Sequence, residues 1–217
     1  MEKLDKKKTR YQALEQYRSL RTNIKLKGDS FKIIDVTSAK PEEGKTSVAT
    51  QLAKALAEIG EKILIIDGDM RKSTIQEKFK LESKGLSEYL SSDVELTAVL
   101  RRITDNIDLI PAGEKTMDST TILDSEKFKT MIRQIRGNYD RIIVDTPSFL
   151  GISDAIIIIK ECDGVLLVIE ENKVNKEIER EVVEKIRAMD AVLLGAVLNK
   201  VTLAENMNAN LDYYALP

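Results

Sequence analysis

Three stretches of the 217-residue chain carry residue types suited to phosphate chemistry. The first, Ala39-Lys40-Pro41-Glu42-Glu43-Gly44-Lys45-Thr46-Ser47, follows an apolar run and precedes a helix-forming one. It fits the phosphate-loop pattern G-x-x-x-x-G-K-[ST], with Ala39 in place of the first glycine. A loop that runs into a helix N-terminus aims several backbone N–H groups at one anion, and the helix dipole adds to them. On this reading Lys45 reaches the β- and γ-phosphates and Thr46 offers its hydroxyl to Mg²⁺, while Glu43, Gly44 and Ser47 complete the loop around the nucleotide. The competing reading is a surface turn that happens to contain Gly-Lys-Thr; the strand before it and the helix after it weigh against that.

The second stretch, 63–71, ends the apolar run Ile-Leu-Ile-Ile with Asp67, Asp69 and Arg71, and the third, 142–147, ends Ile-Ile-Val with Asp145. Singly, an aspartate after a strand is a turn former or a helix cap. Together with the loop, the three make a nucleotide site at the carboxyl ends of parallel strands, where open sheets bind ligands. Asp145 then holds the metal directly or through water, and Asp67, Asp69 and Arg71 lie at the phosphates. The cofactors this implies are ATP and Mg²⁺, and the group that does the chemistry is Lys45 with Asp67, Asp69 and Asp145.

The elements that must position these residues are legible as alternating patterns. Strand-length apolar runs occur at 31–37, 63–66, 107–110, 141–144, 165–169 and 192–198. Helix-period segments lie between them: 51–59 ahead of Gly60, and 125–136 ahead of Gly137. Strand, helix, strand in repetition predicts a mostly parallel sheet with helices on both faces, and the strands are continuously apolar, as burial on two faces requires. Residues 155–159, Ala-Ile-Ile-Ile-Ile, read as strand by propensity; the crossover needed between 141–144 and 165–169 instead predicts a helix from Ser153 to about Glu161. Ahead of the first strand, Leu14, Tyr17, Leu20 and Ile24 fall at helical steps and mark an extra N-terminal helix. The chain therefore reads as one domain. A mobile segment at 1–9 and a helix at 10–27 precede a nucleotide-binding core at 28–200, and a flexible tail at 201–217 carries Tyr213 and Tyr214.

Composition narrows the chemistry. With no histidine and a single cysteine, Cys162, the chain has no Ser-His-Asp or Cys-His nucleophile, no His-bound zinc and no internal disulfide. A proton taken from a hydroxyl must go to a carboxylate, and Asp67 is the best placed. Thirty-four basic against 36 acidic residues give a net charge of −2, so no global field favours nucleic acid or an anionic bilayer, and no nucleic-acid partner is expected. No apolar stretch reaches the roughly 18 to 20 residues of a spanning helix, which predicts a cytoplasmic chain.

These motifs resemble the bacterial tyrosine kinases of capsule and exopolysaccharide systems, CpsD/CapB type, relatives of the MinD/ParA-like deviant Walker P-loop ATPases. Residues 39–46 are similar to the deviant Walker A loop, 63–71 to Walker A′ and 142–147 to Walker B. Glu15-Gln16-Tyr17-Arg18-Ser19-Leu20-Arg21-Thr22-Asn23 matches the E-x-x-R-x-x-R-T-N helix that separates the kinases from the positioning ATPases. The resemblance spans about residues 11 to 200 and implies a P-loop fold. It also implies a kinase that autophosphorylates C-terminal tyrosines, here Tyr213 and Tyr214, on neighbouring copies. It gives Asp67 the part of base or hydroxyl-positioning carboxylate, Thr46, Asp69 and Asp145 the Mg²⁺ site, and Asn199 the adenine edge. Lys40 stands at the signature lysine, which acts in cis, acts in trans or is a solvent-exposed loop residue. Glu15, Arg18 and Arg21 fall on the helix that joins subunits into a ring or dimer. A separate membrane-anchored activator with a cytoplasmic tail would recruit the chain to the inner face of the membrane. The chain departs from the family at Glu42, where glycine is usual, at Ser73 and Ser148, where proline is usual, and in its short tyrosine tail. Two rivals are a MinD/ParA-type positioning ATPase that acts as a nucleotide-dependent dimerisation switch, and a non-catalytic nucleotide-binding scaffold.

Overall fold

The structure, a computed structural model, describes residues 2–79, 81 and 84–201. Tyr213 and Tyr214 lie outside the described residues. Seven strands form one sheet: β1 (Ile33–Ser38), β2 (Ile63–Asp67), β3 (Arg101–Thr104), β4 (Ile107–Ile110), β5 (Arg141–Asp145), β6 (Gly164–Glu170) and β7 (Leu193–Asn199). Their order across the sheet is β3-β4-β2-β5-β1-β6-β7, and every pairing is parallel except β3 with β4.

Continuous apolar strands divide their side chains between two helical layers. On β2, Leu64 and Ile66 pack into one core while Ile63 and Ile65 pack into the other; on β5, Ile142 and Val144 part from Ile143 in the same way. The Ile63 side of the sheet is covered by α1 (Glu2–Lys27) and α2 (Lys45–Ala57), through Ile24, Val48, Leu52 and Leu56. The opposite side is covered by α7 (Glu126–Ile135), α8 (Ser153–Ile159) and α9 (Lys176–Ala188), through Phe128, Ile132, Ile158, Val182 and Ile186. Four short helices, α3 (Thr74–Phe79), α4 (Leu86–Ser91), α5 (Leu96–Val99) and α6 (Ser119–Leu123), fill the long connections between β2 and β5.

The isoleucine-rich segment is helical, as the crossover argument requires. Residues 153–159 carry the chain from β5 to β6 on the far side of β1, and burial of Ala155, Ile158 and Ile159 outweighs their β preference. The first helix begins at Glu2, well ahead of residue 10. The antiparallel edge strand β3 has no counterpart in the apolar runs, because its alternating residues Arg101 and Ile103 are only half-buried. α2 ends at Ala57, and Gly60 follows with φ 88°, a left-handed turn into β2. No helix among the described residues is long and apolar enough to cross a membrane.

Candidate functional site

The carboxyl ends of β1, β2 and β5 lie side by side, so everything that follows those strands converges on one edge of the sheet. In register, Asp67 pairs with Asp145 and Val36 pairs with Asp145 on its other side. The loop 39–44 leaves β1 and enters α2 at Gly44, whose φ of 96° is left-handed and whose missing Cβ leaves room for Asn199 Nδ2. Thr46, in the first turn of α2, donates its hydroxyl to Asp145 Oδ2 at 2.6 Å. Gly68, just past β2, donates its N–H to the Asp145 carbonyl at 2.8 Å; a Cβ there would lie 2.8 Å from Ile158 Cδ1. Small residues thus let the phosphate loop and the two aspartate strands close on one another.

Asp67 is fully buried. Its Oδ2 accepts the Ser73 hydroxyl at 2.8 Å, and its Oδ1 accepts the Asp69 N–H at 3.3 Å. Burial pushes its carboxyl well above the usual carboxylate range, the neighbouring Asp145 adds to this, and the Ser73 hydrogen bond opposes it. Asp69 is also raised, first by burial, against the Lys72 N–H at 2.9 Å and the charge of Lys45. Lys45 therefore acts on the same side of the site as the acidic residues. A hydroxyl beside a carboxylate, with further carboxylates made costly by mutual repulsion, is an oxygen-donor set suited to a hard cation. Among the described residues no three carboxylates form a metal cage.

The structure brings together Gly44, Lys45, Thr46, Asp67, Asp69 and Asp145. Lys40 and Ser47 are exposed on the loop and at the start of α2. Glu43 turns inward instead: it is fully buried, its carboxylate accepting the N–H of Lys40 at 2.5 Å and of Glu170 at 3.1 Å. Asn199 donates to the Glu43 carbonyl at 2.8 Å, and Lys200 donates to the Glu42 carbonyl at 2.8 Å. The ends of β6 and β7 therefore brace the phosphate loop from outside. Glu42 has φ 67° and points its exposed carboxylate at Lys72, 3.4 Å away, so its charge lies at the surface. Arg71 is held by Asp154 at 3.1 Å and by Thr120 at 3.2 Å.

On α1, Arg18 donates to Glu15 at 2.5 Å and to Glu58 at 3.3 Å, while Arg21 donates to the Ala55 carbonyl at 2.8 Å. The E-x-x-R-x-x-R residues are thus tied to the end of α2, beside a shallow depression of about 300 Å³ lined by Glu15, Arg18, Ser19, Thr22 and Asn23. Residue spacing did not mark Ser73, Asp154, Glu170 or the bracing role of Glu43. Each makes its contacts across long sequence separations or in irregular loops, where no periodicity operates.

Comparison with known proteins agrees with this geometry. Residues 31–196 match the AAA domain family. The tyrosine-protein kinase CpsD of Streptococcus pneumoniae serotype 4 is 37% identical over 197 residues, covering 89% of this chain and 87% of that protein. The chain belongs to the CpsD-type bacterial tyrosine-kinase family. Among solved structures, the chimerical protein CapA2B2 superposes with a TM-score of 0.83 at 32% identity, covering 87% of this chain and 85% of the other. The septum site-determining protein MinD of Pyrococcus horikoshii, with Mg-ADP, gives 0.69 at 24% identity over 86% and 78%. The MinD likeness is one of fold; the CpsD likeness extends through the sequence.

Proposed function

We propose that this chain is an ATP- and Mg²⁺-dependent protein-tyrosine kinase that phosphorylates C-terminal tyrosines of neighbouring copies and acts in the control of capsular or exopolysaccharide synthesis or export. The observation that carries the reading is the Thr46–Asp145 hydrogen bond at 2.6 Å with Asp67 in register beside Asp145. It supports a reading in which the phosphate loop, a pair of cation-holding residues and a buried carboxylate serve one reaction centre.

Backbone N–H groups of the loop and the first turn of α2 bind the phosphates, and Lys45 offsets the charge on the transferring phosphoryl group. Thr46, Asp69 and Asp145 are the residues that would hold Mg²⁺, which neutralises phosphate oxygens when bound. The tyrosine hydroxyl oxygen forms the new bond to the γ-phosphorus as the bond to the ADP oxygen breaks. Asp67 orients that hydroxyl and receives its proton, a task that falls to a carboxylate in a chain without histidine. Asn199 is the candidate for the adenine edge, and Lys40 serves its own or a neighbour's nucleotide.

On this reading the working form is a homo-oligomer joined through Glu15, Arg18 and Arg21. It is recruited to the inner face of the membrane by a separate membrane-anchored activator. Lys45→Met tests the site: phosphotyrosine formation from ATP should fall on the order of a hundredfold or more, because a preorganised cation is lost. Asp145→Asn should abolish the Mg²⁺-dependent activity. Full activity in either variant contradicts the assignment.

A further inference from the structure

Ser73 occupies a position that the phosphate chemistry described above does not use. It is 3% exposed, directly before α3, and its hydroxyl makes two hydrogen bonds at once. The oxygen accepts the Gln76 N–H at 3.3 Å, and the hydroxyl proton goes to Asp67 Oδ2 at 2.8 Å. Gln76 in turn accepts the Gly113 N–H on its side-chain oxygen at 3.0 Å. A chain of hydrogen bonds therefore runs from the loop after β4 through the start of α3 to the buried aspartate.

The Asp67 carboxylate also accepts the Asp69 N–H, at 3.3 Å, long for a hydrogen bond. A carboxylate held at one oxygen by a long bond can turn about its Cβ–Cγ axis. A second, short bond at the other oxygen fixes the plane and settles which lone pairs face the nucleotide end of the sheet. Asp69 also accepts the Lys72 N–H at 2.9 Å, and Ser73 reaches Asp67 from the next residue, directly before α3.

We infer that Ser73 is the positioning residue for Asp67, holding its carboxylate in the orientation that receives the tyrosine hydroxyl. The inference rests on the kinase reading and on the part given to Asp67. A misoriented acceptor reduces the fraction of bound complexes ready to react while leaving nucleotide contacts in place, so the effect falls on turnover rather than on ATP affinity.

The test is steady-state phosphotyrosine formation by the full chain with Ser73→Ala, Ser73→Thr and Asp67→Asn, with thermal melting of each. Ser73→Ala should lower kcat about tenfold, the usual scale for losing one hydrogen bond to a charged group, with KM for ATP changed by less than about twofold. Ser73→Thr, which keeps both the donor and the helix-capping oxygen, should restore most of kcat. A parental kcat in Ser73→Ala alongside an inactive Asp67→Asn overturns the role of Ser73 alone. A loss in Ser73→Ala that Thr does not rescue, or that moves KM for ATP together with the melting temperature, also overturns it, because that is the pattern of a structural cap. Full activity in Asp67→Asn overturns the reading beneath it.

Discussion

Asp35 shows how a single residue sets a pH dependence of stability. It sits in the middle of β1 between Val144 and Val165, fully buried on the face packed by α8. Neither carboxylate oxygen has a well-aligned hydrogen-bond partner among the described residues; the Thr146 hydroxyl is close enough to favour the ionised form but donates to the Val36 carbonyl at 3.3 Å. Burial pushes its carboxyl well above the usual range; Thr146 and Lys45 oppose this and Asp145 adds to it. A folded state that keeps a proton the unfolded chain has released loses stability as pH rises from the unfolded value of about 4 toward the raised folded one. Asp35→Val fits the strand and removes that liability. It should stabilise the protein by about 1 to 3 kcal/mol at pH 8, with the gain shrinking as pH falls toward 4. Melting temperatures of both proteins across that range check it. A gap that stays constant with pH, or that widens on acidification, contradicts the account.

At the scale of elements, the segments after the strands are joined by one buried carboxylate. Asp154, on α8, accepts Arg71 from the Walker A′ loop and, at 2.6 Å each, Ser119 and Thr120 from α6. Burial works against its ionised form, yet these three partners hold its carboxyl below the usual range. Removing it by Asp154→Ala strands an arginine and two hydroxyls, which should cost about 3 kcal/mol and lower the melting temperature by about 6 to 12 °C. A shift under about 2 °C on a calorimeter would show that the network does not tie these elements together. The network also marks where sequence stops being informative. The apolar strands, the phosphate loop and the aspartates at β2 and β5 were legible because each is a local pattern, either continuous apolarity or a motif with a strand before it and a helix after it. The helix at 153–159 was legible only through topology, since its isoleucines argue for strand. Arg71 was placed at the nucleotide because it follows Asp69; its partner Asp154 lies 83 positions away, and no spacing rule links them. Glu43 and Asn199 read as nucleotide contacts from their place in the motif or the resemblance; that they also brace the loop against β6 and β7 was not legible, because those contacts span 127 and 156 positions.

At the scale of the whole molecule, the sheet presents its site on one edge, and the chain leaves β7 at that same edge, at Asn199. The tail with Tyr213 and Tyr214 therefore starts beside the phosphate loop. A neighbouring copy held in an assembly would meet such a tail at high effective concentration. Each phosphate added brings about −1.5 to −2 charges, which the acidic residues at Asp67, Asp69 and Asp145 repel, favouring release after transfer. Both steps follow from the kinase reading, and neither is expected of an ATPase that switches by dimerising. The most direct measurement mixes a Lys45→Met chain that keeps its tail with an active chain lacking residues 211–217, supplies ATP and Mg²⁺, and maps phosphotyrosine by mass spectrometry. The account predicts phosphate on Tyr213 or Tyr214 of the Lys45→Met chain, formed only when the active chain is present; ATP hydrolysis with no phosphotyrosine on either chain would contradict it.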